Sequence, residues 1–599
     1  MDNNDDIILT QQQQAAVDSE AHAIVVLANA GSGKTETVAR RVLRLLGEAD
    51  RTGRILALTY TKNAAEELRT RFQLRAGDLG QLVTTETLHG FAHALVQQHG
   101  TRIGLQIDPE LLSRDEDRAE LLTRWYRSQG LPQRVSAPDF FRQVDLGRAR
   151  LESSDDISNW RNALASLPAV DYPALLDAAH ELLELNSIRR QVLRTYSHLI
   201  VDEAQNLSPA QYRLIRDILG EDGDGPSAML VGDDKQSIVS FAGADPTLLQ
   251  RFVVERDAQL IRLDENFRSA QLLNDLGDRV AIDLGHPAGT ADPHAALGAL
   301  GFEALADEGA EGEFVARWIA ALLETGLPAA AVAPGESTSV SDSEIAVLGR
   351  SATVLREVAA SLDKLGIPYT ATSGSADWLE GTVGQVVLEI IALRAAPEQI
   401  STRWRLSRLL SVPEEELTTV DSVRDRLANL NDPVLASVAA LFDAADAAEL
   451  LERLDEVTVP ESASVSDQAA WEADAAELRS AWADFATVTD TNERSWSNFR
   501  RFSSQRQRGA SLTGVQLMTV HKAQGREFKA VAVVGLNDGQ IPDFRARTPQ
   551  EKIAELRTFY VAVTRARRTL LLTRAQRRRT RYGNRASEAS PFLRYLPDK

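Results

Sequence analysis

Ala28-Asn29-Ala30-Gly31-Ser32-Gly33-Lys34-Thr35 follows the apolar run Ile24-Val25-Val26-Leu27 and opens a helical pattern that continues through Leu46. A buried strand, a turn of small residues and a helix, in that order, make a phosphate cradle. Small residues let backbone N–H groups close around phosphate oxygens, and the positive end of the helix dipole favours the anion. In such a loop Lys34 neutralises the β and γ phosphates, and the Thr35 hydroxyl ligates magnesium. Ala28 stands where Gly is usual and keeps the position small.

Ile55 to Leu58 is a second strand, followed by a helix rich in Ala, Glu, Leu and Arg. His198-Leu199-Ile200-Val201 and Ala228-Met229-Leu230-Val231 are further strands. Repeated strand–turn–helix units mean a parallel sheet with right-handed crossovers, so the fold class is α/β. The strand Leu199-Ile200-Val201 ends in Asp202-Glu203-Ala204-Gln205. Carboxylates at the carboxyl end of a parallel strand lie where ligands bind in an open sheet. Asp202 is placed to hold the magnesium through water, and Glu203 to polarise an attacking water. Phosphoryl transfer also needs cations on the γ-phosphate, and an arginine in that role is worth about 10³–10⁵ in rate. Arg268 and Arg565 are the candidates, although in isolation either reads as an ordinary surface residue.

The rest of the chain limits the alternatives. Its 599 residues suggest about four domains. Lys and Arg number 66 against 86 Asp and Glu, a net charge of −20, which argues against a protein that coats nucleic acid in bulk. A local basic channel remains compatible with that balance. The absence of cysteine excludes a disulfide framework, a Cys-ligated zinc site, an iron–sulfur cluster and a thiol nucleophile. No apolar run reaches about 18 residues, and the start, MDNNDDIILT, is acidic rather than signal-like. The expectation is a soluble, cytoplasmic protein with no membrane partner.

Composition shifts divide the chain into a first α/β domain, 1–100 and 191–260, interrupted by a helical stretch at 101–190. A second α/β domain, 261–375 and 506–599, is interrupted by an acidic, Ala-rich helical stretch at 376–505. The run Arg574-Ala575-Gln576-Arg577-Arg578-Arg579-Thr580-Arg581-Tyr582 reads either as a solvated helix end or as a contact for DNA or a partner.

Several further blocks, in order, resemble the superfamily 1 helicases of the UvrD/Rep/PcrA group. Leu9-Thr10-Gln11-Gln12-Gln13-Gln14-Ala15-Ala16-Val17 resembles the Q motif. Leu58-Thr59-Tyr60-Thr61-Lys62-Asn63-Ala64-Ala65 with Arg71 resembles motif Ia, and Thr87-Leu88-His89-Gly90-Phe91 the next DNA-contacting segment. Asp202 to Gln205 is similar to motif II, and Gly232-Asp233-Asp234-Lys235-Gln236-Ser237-Ile238 with Phe241-Ala242-Gly243-Ala244 to motif III. Asn266-Phe267-Arg268-Ser269 resembles motif IV, Leu517 through Phe528 motif V, and Tyr560 through Arg567 motif VI.

The resemblance implies two RecA-like P-loop motor domains, each carrying a helical insertion, with ATP and magnesium between them. The first domain would supply Gln13 to the adenine, together with Lys34, Thr35, Asp202, Glu203 and Gln236. The phosphate run as a whole extends from Ala28, Asn29, Ala30, Gly31, Ser32, Gly33, Lys34 and Thr35 to Glu36. The second would supply Arg268, Arg565 and, at the ribose, Glu527. Single-stranded DNA would cross the tops of both domains. Tyr60 and Phe241 stand where the resemblance puts stacking residues, and Thr61, Thr87, His89, Thr519 and His521 where it puts phosphate contacts.

Three departures stand out. Ala242 follows the motif III aromatic where Arg is usual. Gln524 and Arg526 replace Lys and Leu in motif V, and Asn206 follows Gln205 where Asp is usual. Both insertions are short for the family, at about 90 and 130 residues. The implied activity is a 3′ to 5′ single-stranded DNA translocase and helicase acting at single-strand/duplex junctions, in DNA repair or replication restart. The alternative is a DNA-stimulated ATPase subunit that remodels protein–DNA complexes, or serves a partner nuclease as in phage defence. A partner nuclease or repair protein fits either reading.

Overall fold

A computed structural model describes residues 8–47, 53–132, 135–220, 225–292, 294–371, 382–432, 435–436, 438–444, 446–457, 465–489, 491–503, 514–580 and 583–597. The chain forms two compact units. One comprises Met1–Pro109, Asp139–Ser373 and Thr513–Lys599, the other Glu110–Pro138 and Gly374–Leu512.

The first unit holds two large parallel sheets. In the first, β1 (Ala23–Ala28), β2 (Arg54–Thr59), β3 (Val83–Thr87), β4 (Tyr196–Val201), β5 (Ser227–Gly232) and β6 (Gln259–Leu263) lie in the order β3-β2-β4-β5-β1-β6. Every residue of β1 is buried, as expected of a central parallel strand covered on both faces. Register pairs Val26 with Val231 on one side and with Ile261 on the other. The strand that leads to the P-loop and the strand that ends at Asp202 are thus separated only by β5, about 10 Å at normal strand spacing. All three release their loops at the same edge. Helix α1 (Gln11–Asp18) starts at a capping box between Thr10 and Gln13, and α2 (Lys34–Leu46) starts directly from Gly33.

The second sheet comprises β7 (Ala299–Asp307), β8 (Ile345–Gly349), β9 (Tyr369–Ala371), β10 (Val515–Thr519), β11 (Phe528–Val533) and β12 (Ala566–Thr580), in the order β7-β12-β11-β8-β10-β9. β13 (Gly583–Ala586) turns back antiparallel on β12. Separate apolar cores lie on its faces, one around Val315, Ile319, Val347 and Val515, the other around Leu348, Met518, Val531 and Phe559.

The helix-end reading of the basic run is corrected here, since Arg574 to Thr580 continue strand β12. Arg578 is buried and serves the fold. Its guanidinium reaches Glu311 at 2.6 Å, Asn537 Oδ1 at 2.8 Å and Glu308 at 3.0 Å. A 3.6-residue period and a strand extension give the same basic composition, so only the partner Glu311 distinguishes them. Arg581 and Tyr582 lie outside the described residues.

The second unit is helical and centres on a cluster that includes Val386, Ile390, Leu406, Leu450, Leu478 and Phe499. The 101–190 stretch divides: 110–138 groups with this unit and the remainder from Asp139 with the other. A buried ion network explains the grouping of 110–138. Arg405 holds Asp117 at 2.6 Å and Glu389 at 2.7 Å, and Glu110 accepts the Ile400 amide at 2.9 Å. A charge this deeply buried has to keep its partners. No helix among the described residues is long and apolar enough to cross a membrane.

Candidate nucleotide cleft and nucleic-acid track

The P-loop is shaped by two glycines with positive φ, Gly31 at 78° and Gly33 at 76°, a region that other residues enter only under strain. Space forbids a side chain as well. A Cβ on Gly31 would lie 2.4 Å from Asn266 Oδ1, and one on Gly33 would lie 2.6 Å from Gln13 Nε2. Gln13 therefore packs directly on the loop. Its Nε2 donates to the Ser32 carbonyl at 2.9 Å, and its Oε1 accepts from Thr10 N at 2.9 Å. One donor and one acceptor position of that amide remain for a base.

Glu36 is held by two arginines. Burial works to raise its pKa, but hydrogen bonds from Arg75 and Arg40, at 2.8 and 2.9 Å, hold it below the ordinary value. Asp202 behaves in the opposite way. Burial and the neighbouring Glu203 charge push it up to about 7, against the pull of Lys34. Lys34 acts on Asp202, and the Arg565 charge reaches Glu203. Glu203 itself adopts φ +54°, a strained position of the kind that persists at functional sites. Its Oε2 accepts a hydrogen bond from Gln205 Nε2.

From there a chain of bonds crosses to the second sheet. Gln205 Oε1 accepts from Asp233 N at 3.0 Å, and Gln236 Nε2 donates to Asp233 Oδ2 at 2.7 Å. Arg565 Nη2 donates to Gln236 Oε1 at 2.6 Å. Arg565 is 1% exposed, and burial together with the Arg268 charge lowers its pKa to about 10. It is still a cation at neutral pH. Arg268 is ion-paired with Glu527 at 2.5 Å, and Arg567 approaches the same carboxylate at 3.6 Å. The roles expected of Arg268 and Glu527 lie at opposite ends of a nucleotide, so this pair has to part before both can be filled.

The structure brings in residues to which the sequence reading gave no role. Lys235 Nζ donates to Asn29 Oδ1 at 2.7 Å and pairs with Asp233 at 3.0 Å. Asn266 Oδ1 accepts from the amides of Arg268 and Ser269. The buried Tyr560 hydroxyl meets the Ala30 amide, and burial with Asp233 and Asp278 raises its pKa well above the ordinary value. Lys235 and Tyr560 sit inside quoted motifs, but their partners are distant in sequence.

At the same edge lie the residues expected on DNA. Thr61 and Thr87 cap helices α3 (Lys62–Ala76) and α4 (Leu88–His99), accepting amides at 3.2 and 2.9 Å. Capping uses oxygen lone pairs and leaves each hydroxyl proton free to donate at a helix N-terminus. Thr519 precedes the turn Val520–Ala523 and makes no cap bond there. Phe241 is 64% exposed, and its ring stands edge-on to His521 at 5.4 Å. Tyr60 is half-buried against the core that includes Ile238 and Val239. Burial lowers His89 and His521 to about 4, with Arg350 adding to the shift at His521 and Asp171 opposing it at His89. Both rings are neutral at pH 7, so they can hold a phosphate by hydrogen bonding but not by charge. His89 also packs edge-on against Tyr172 at 5.6 Å, an aromatic that no quoted motif contains.

Residues 9–255 match the UvrD/REP helicase N-terminal domain, and residues 460–577 the UvrD-like helicase C-terminal domain. ATP-dependent DNA helicase UvrD1 of Mycobacterium tuberculosis is 27% identical over 679 residues, covering 99% of this chain and 85% of its own length. DNA helicase II of Escherichia coli is 28% identical over 660 residues, with 99% and 88% covered. ATP-dependent DNA helicase PcrA of Staphylococcus epidermidis is 23% identical over 656 residues, with 98% and 86% covered.

Proposed function

We propose, for a chain that belongs to the UvrD/Rep helicase family, that it moves 3′ to 5′ along single-stranded DNA and separates duplex at single-strand/duplex junctions. It is an ATP-dependent DNA helicase; polarity and biological setting are the finer part of the proposal. The setting we propose is cytoplasmic DNA repair or replication restart, with a repair protein or nuclease as partner.

The observation that carries this reading is the bonded path Arg565–Gln236–Asp233–Gln205–Glu203. It joins the two sheets beside the P-loop, while Phe241, on the same segment as Gln236, reaches the exposed edge. In this account Lys34 and the P-loop amides hold the β and γ phosphates, and Gln13 contacts the base. Arg565 and Arg268 stabilise charge that develops on the γ-phosphate. Glu527 takes the ribose once its pair with Arg268 has opened. Glu203, with Oε2 held by Gln205, keeps Oε1 to orient the attacking water.

Magnesium fits the donor set. Burial and the Glu203 charge make the ionised Asp202 costly despite Lys34, which a cation would relieve, and a magnesium site needs only one or two protein oxygens beside the substrate phosphates. Thr35 and Asp202 would hold it, and it would supply charge to the phosphate oxygens. Along the track, Phe241 and Tyr60 stack on bases at about 1–3 kcal/mol each. Thr61, Thr87, His89, Thr519 and His521 hold phosphates, which positions the strand without reading its sequence.

Strand separation on duplexes with a 3′ tail, a 5′ tail or no tail tests the proposal, with Glu203→Gln as control. Separation of the 3′-tailed duplex alone, dependent on ATP and lost in the control, is expected. DNA-stimulated hydrolysis without separation of any substrate would replace it with the regulatory-ATPase reading.

A further inference from the structure

Two of the three departures from the family pattern touch each other. Gln524 Nε2 donates to Asn206 Oδ1 at 3.2 Å and to the main-chain carbonyl of Gln236 at 3.1 Å. Asn206 is 3% exposed, and its own amide closes the turn by donating to the Glu203 carbonyl at 3.0 Å. One side chain from the second sheet is thus bonded to the turn that carries Glu203 and to the residue that receives Arg565. Three positions earlier, His521 contacts Phe241 and hydrogen-bonds the Ile238 main chain. The short segments 236–241 and 521–524 therefore meet at two points, one on the exposed edge and one at the nucleotide cleft.

We propose that Gln524 is a positioning residue that couples occupancy of the single-strand track to hydrolysis, through a neutral amide pair with Asn206. The proposal rests on the translocase reading above. The chemistry explains why both members are amides. A lysine at 524 facing Asn206 would bring an ammonium against a neutral, buried partner. An aspartate at 206 facing Gln524 would add a third carboxylate to the turn that already carries Asp202 and Glu203. The amide pair avoids both. It is directional, carries no net charge, and its strength is insensitive to salt.

The test compares the full-length wild type with Gln524→Leu, Asn206→Leu, the double leucine variant, and the charged double variant Asn206→Asp/Gln524→Lys. For each, kcat is measured without DNA and with saturating oligo(dT), and Kd for oligo(dT) by fluorescence anisotropy. Loss of one hydrogen-bonded pair predicts a roughly tenfold fall in the DNA-stimulated kcat of either single leucine variant. Basal kcat and Kd should stay within about threefold, and the double leucine variant should be no worse than Gln524→Leu alone, because Asn206 acts through its bond to Gln524. The charged pair should restore stimulation, and because position 206 is buried its effect should change little as KCl rises.

Wild-type stimulation in Gln524→Leu would overturn the proposal. So would an equal loss of basal and stimulated rates, which a merely structural role produces. If oligo(dT) fails to stimulate the wild type, the translocase reading itself falls. Stimulation of the wild type with no change in the variants overturns the coupling alone.

Discussion

Arg565 of the second sheet and Gln236 of the first are joined by a 2.6 Å hydrogen bond buried at the base of the nucleotide cleft. The same guanidinium is held by the carbonyls of Val561 and Arg526, both at 3.1 Å. It is pre-set before any substrate arrives, which is how electrostatic stabilisation of a transition state becomes effective. Arg565→Ala is expected to lower kcat for ATP by about 10³-fold or more. Arg565→Lys, which keeps the charge but loses the fork, should fall between the two. Steady-state kinetics, with a melting curve for each variant, checks both.

Asp202 gives a pH prediction. Its folded-state pKa is raised to about 7, so its ionised form is the costly one. This site therefore subtracts stability as pH rises from the ordinary carboxylate range to about 7. A metal that needs the ionised form competes with that proton. Apparent magnesium affinity should climb by roughly tenfold per pH unit below 7 and flatten above it. Thermal shift against magnesium at several pH values measures this, and Asp202→Asn should abolish the slope.

The two histidines predict a silence. With His89 and His521 lowered to about 4, neither gains charge between pH 6 and 8. The affinity for oligo(dT) should show no step there and should strengthen only in more acidic solution. A histidine-like transition near pH 6.5, lost in His521→Asn, would contradict the neutral-ring account.

Phe241 and Tyr60 separate by burial. Phe241 is exposed and Tyr60 half-buried against a core, so Phe241→Ala should weaken oligo(dT) binding with little effect on folding. The loss of one stacking contact is about 1–3 kcal/mol, or roughly five- to 150-fold in Kd. Tyr60→Ala should in addition lower the melting temperature.

In the helical unit, Arg405 holds Asp117 and Glu389 in a buried network. Arg405→Met leaves the buried Asp117 and Glu389 with only the more distant Arg408, at 3.7 Å, and Arg114, at 3.5 Å, at a cost of about 3–5 kcal/mol. Urea unfolding followed by tryptophan fluorescence reads this, since Trp404, Trp471, Trp482 and Trp496 belong to the same unit.

Much of this was legible in the sequence because it is local. The P-loop, its flanking strand and the Asp202-Glu203 end are each written in a few consecutive residues, and apolar runs such as Ile24 to Leu27 carry the sheets. What was not legible depends on contacts between distant positions. Lys235 on Asn29, Tyr560 at the Ala30 amide and Gln524 on Asn206 have no local signature, since each partner is ordinary alone. The basic run failed for a related reason. Arg578 reads as solvent-facing until Glu311, remote in sequence, is seen to bury it. The grouping of 110–138 with 374–512 likewise rests on Arg405 and Asp117, which no periodicity connects.

In the proposed cycle, ATP hydrolysis in this cleft is governed by single-stranded DNA on the adjoining edge. Steady-state ATP hydrolysis with and without oligo(dT), beside Glu203→Gln, tests it most directly. Strong stimulation that disappears in the variant, while oligo(dT) still binds, is expected. Hydrolysis that ignores the oligonucleotide, or that survives in Glu203→Gln, would contradict it.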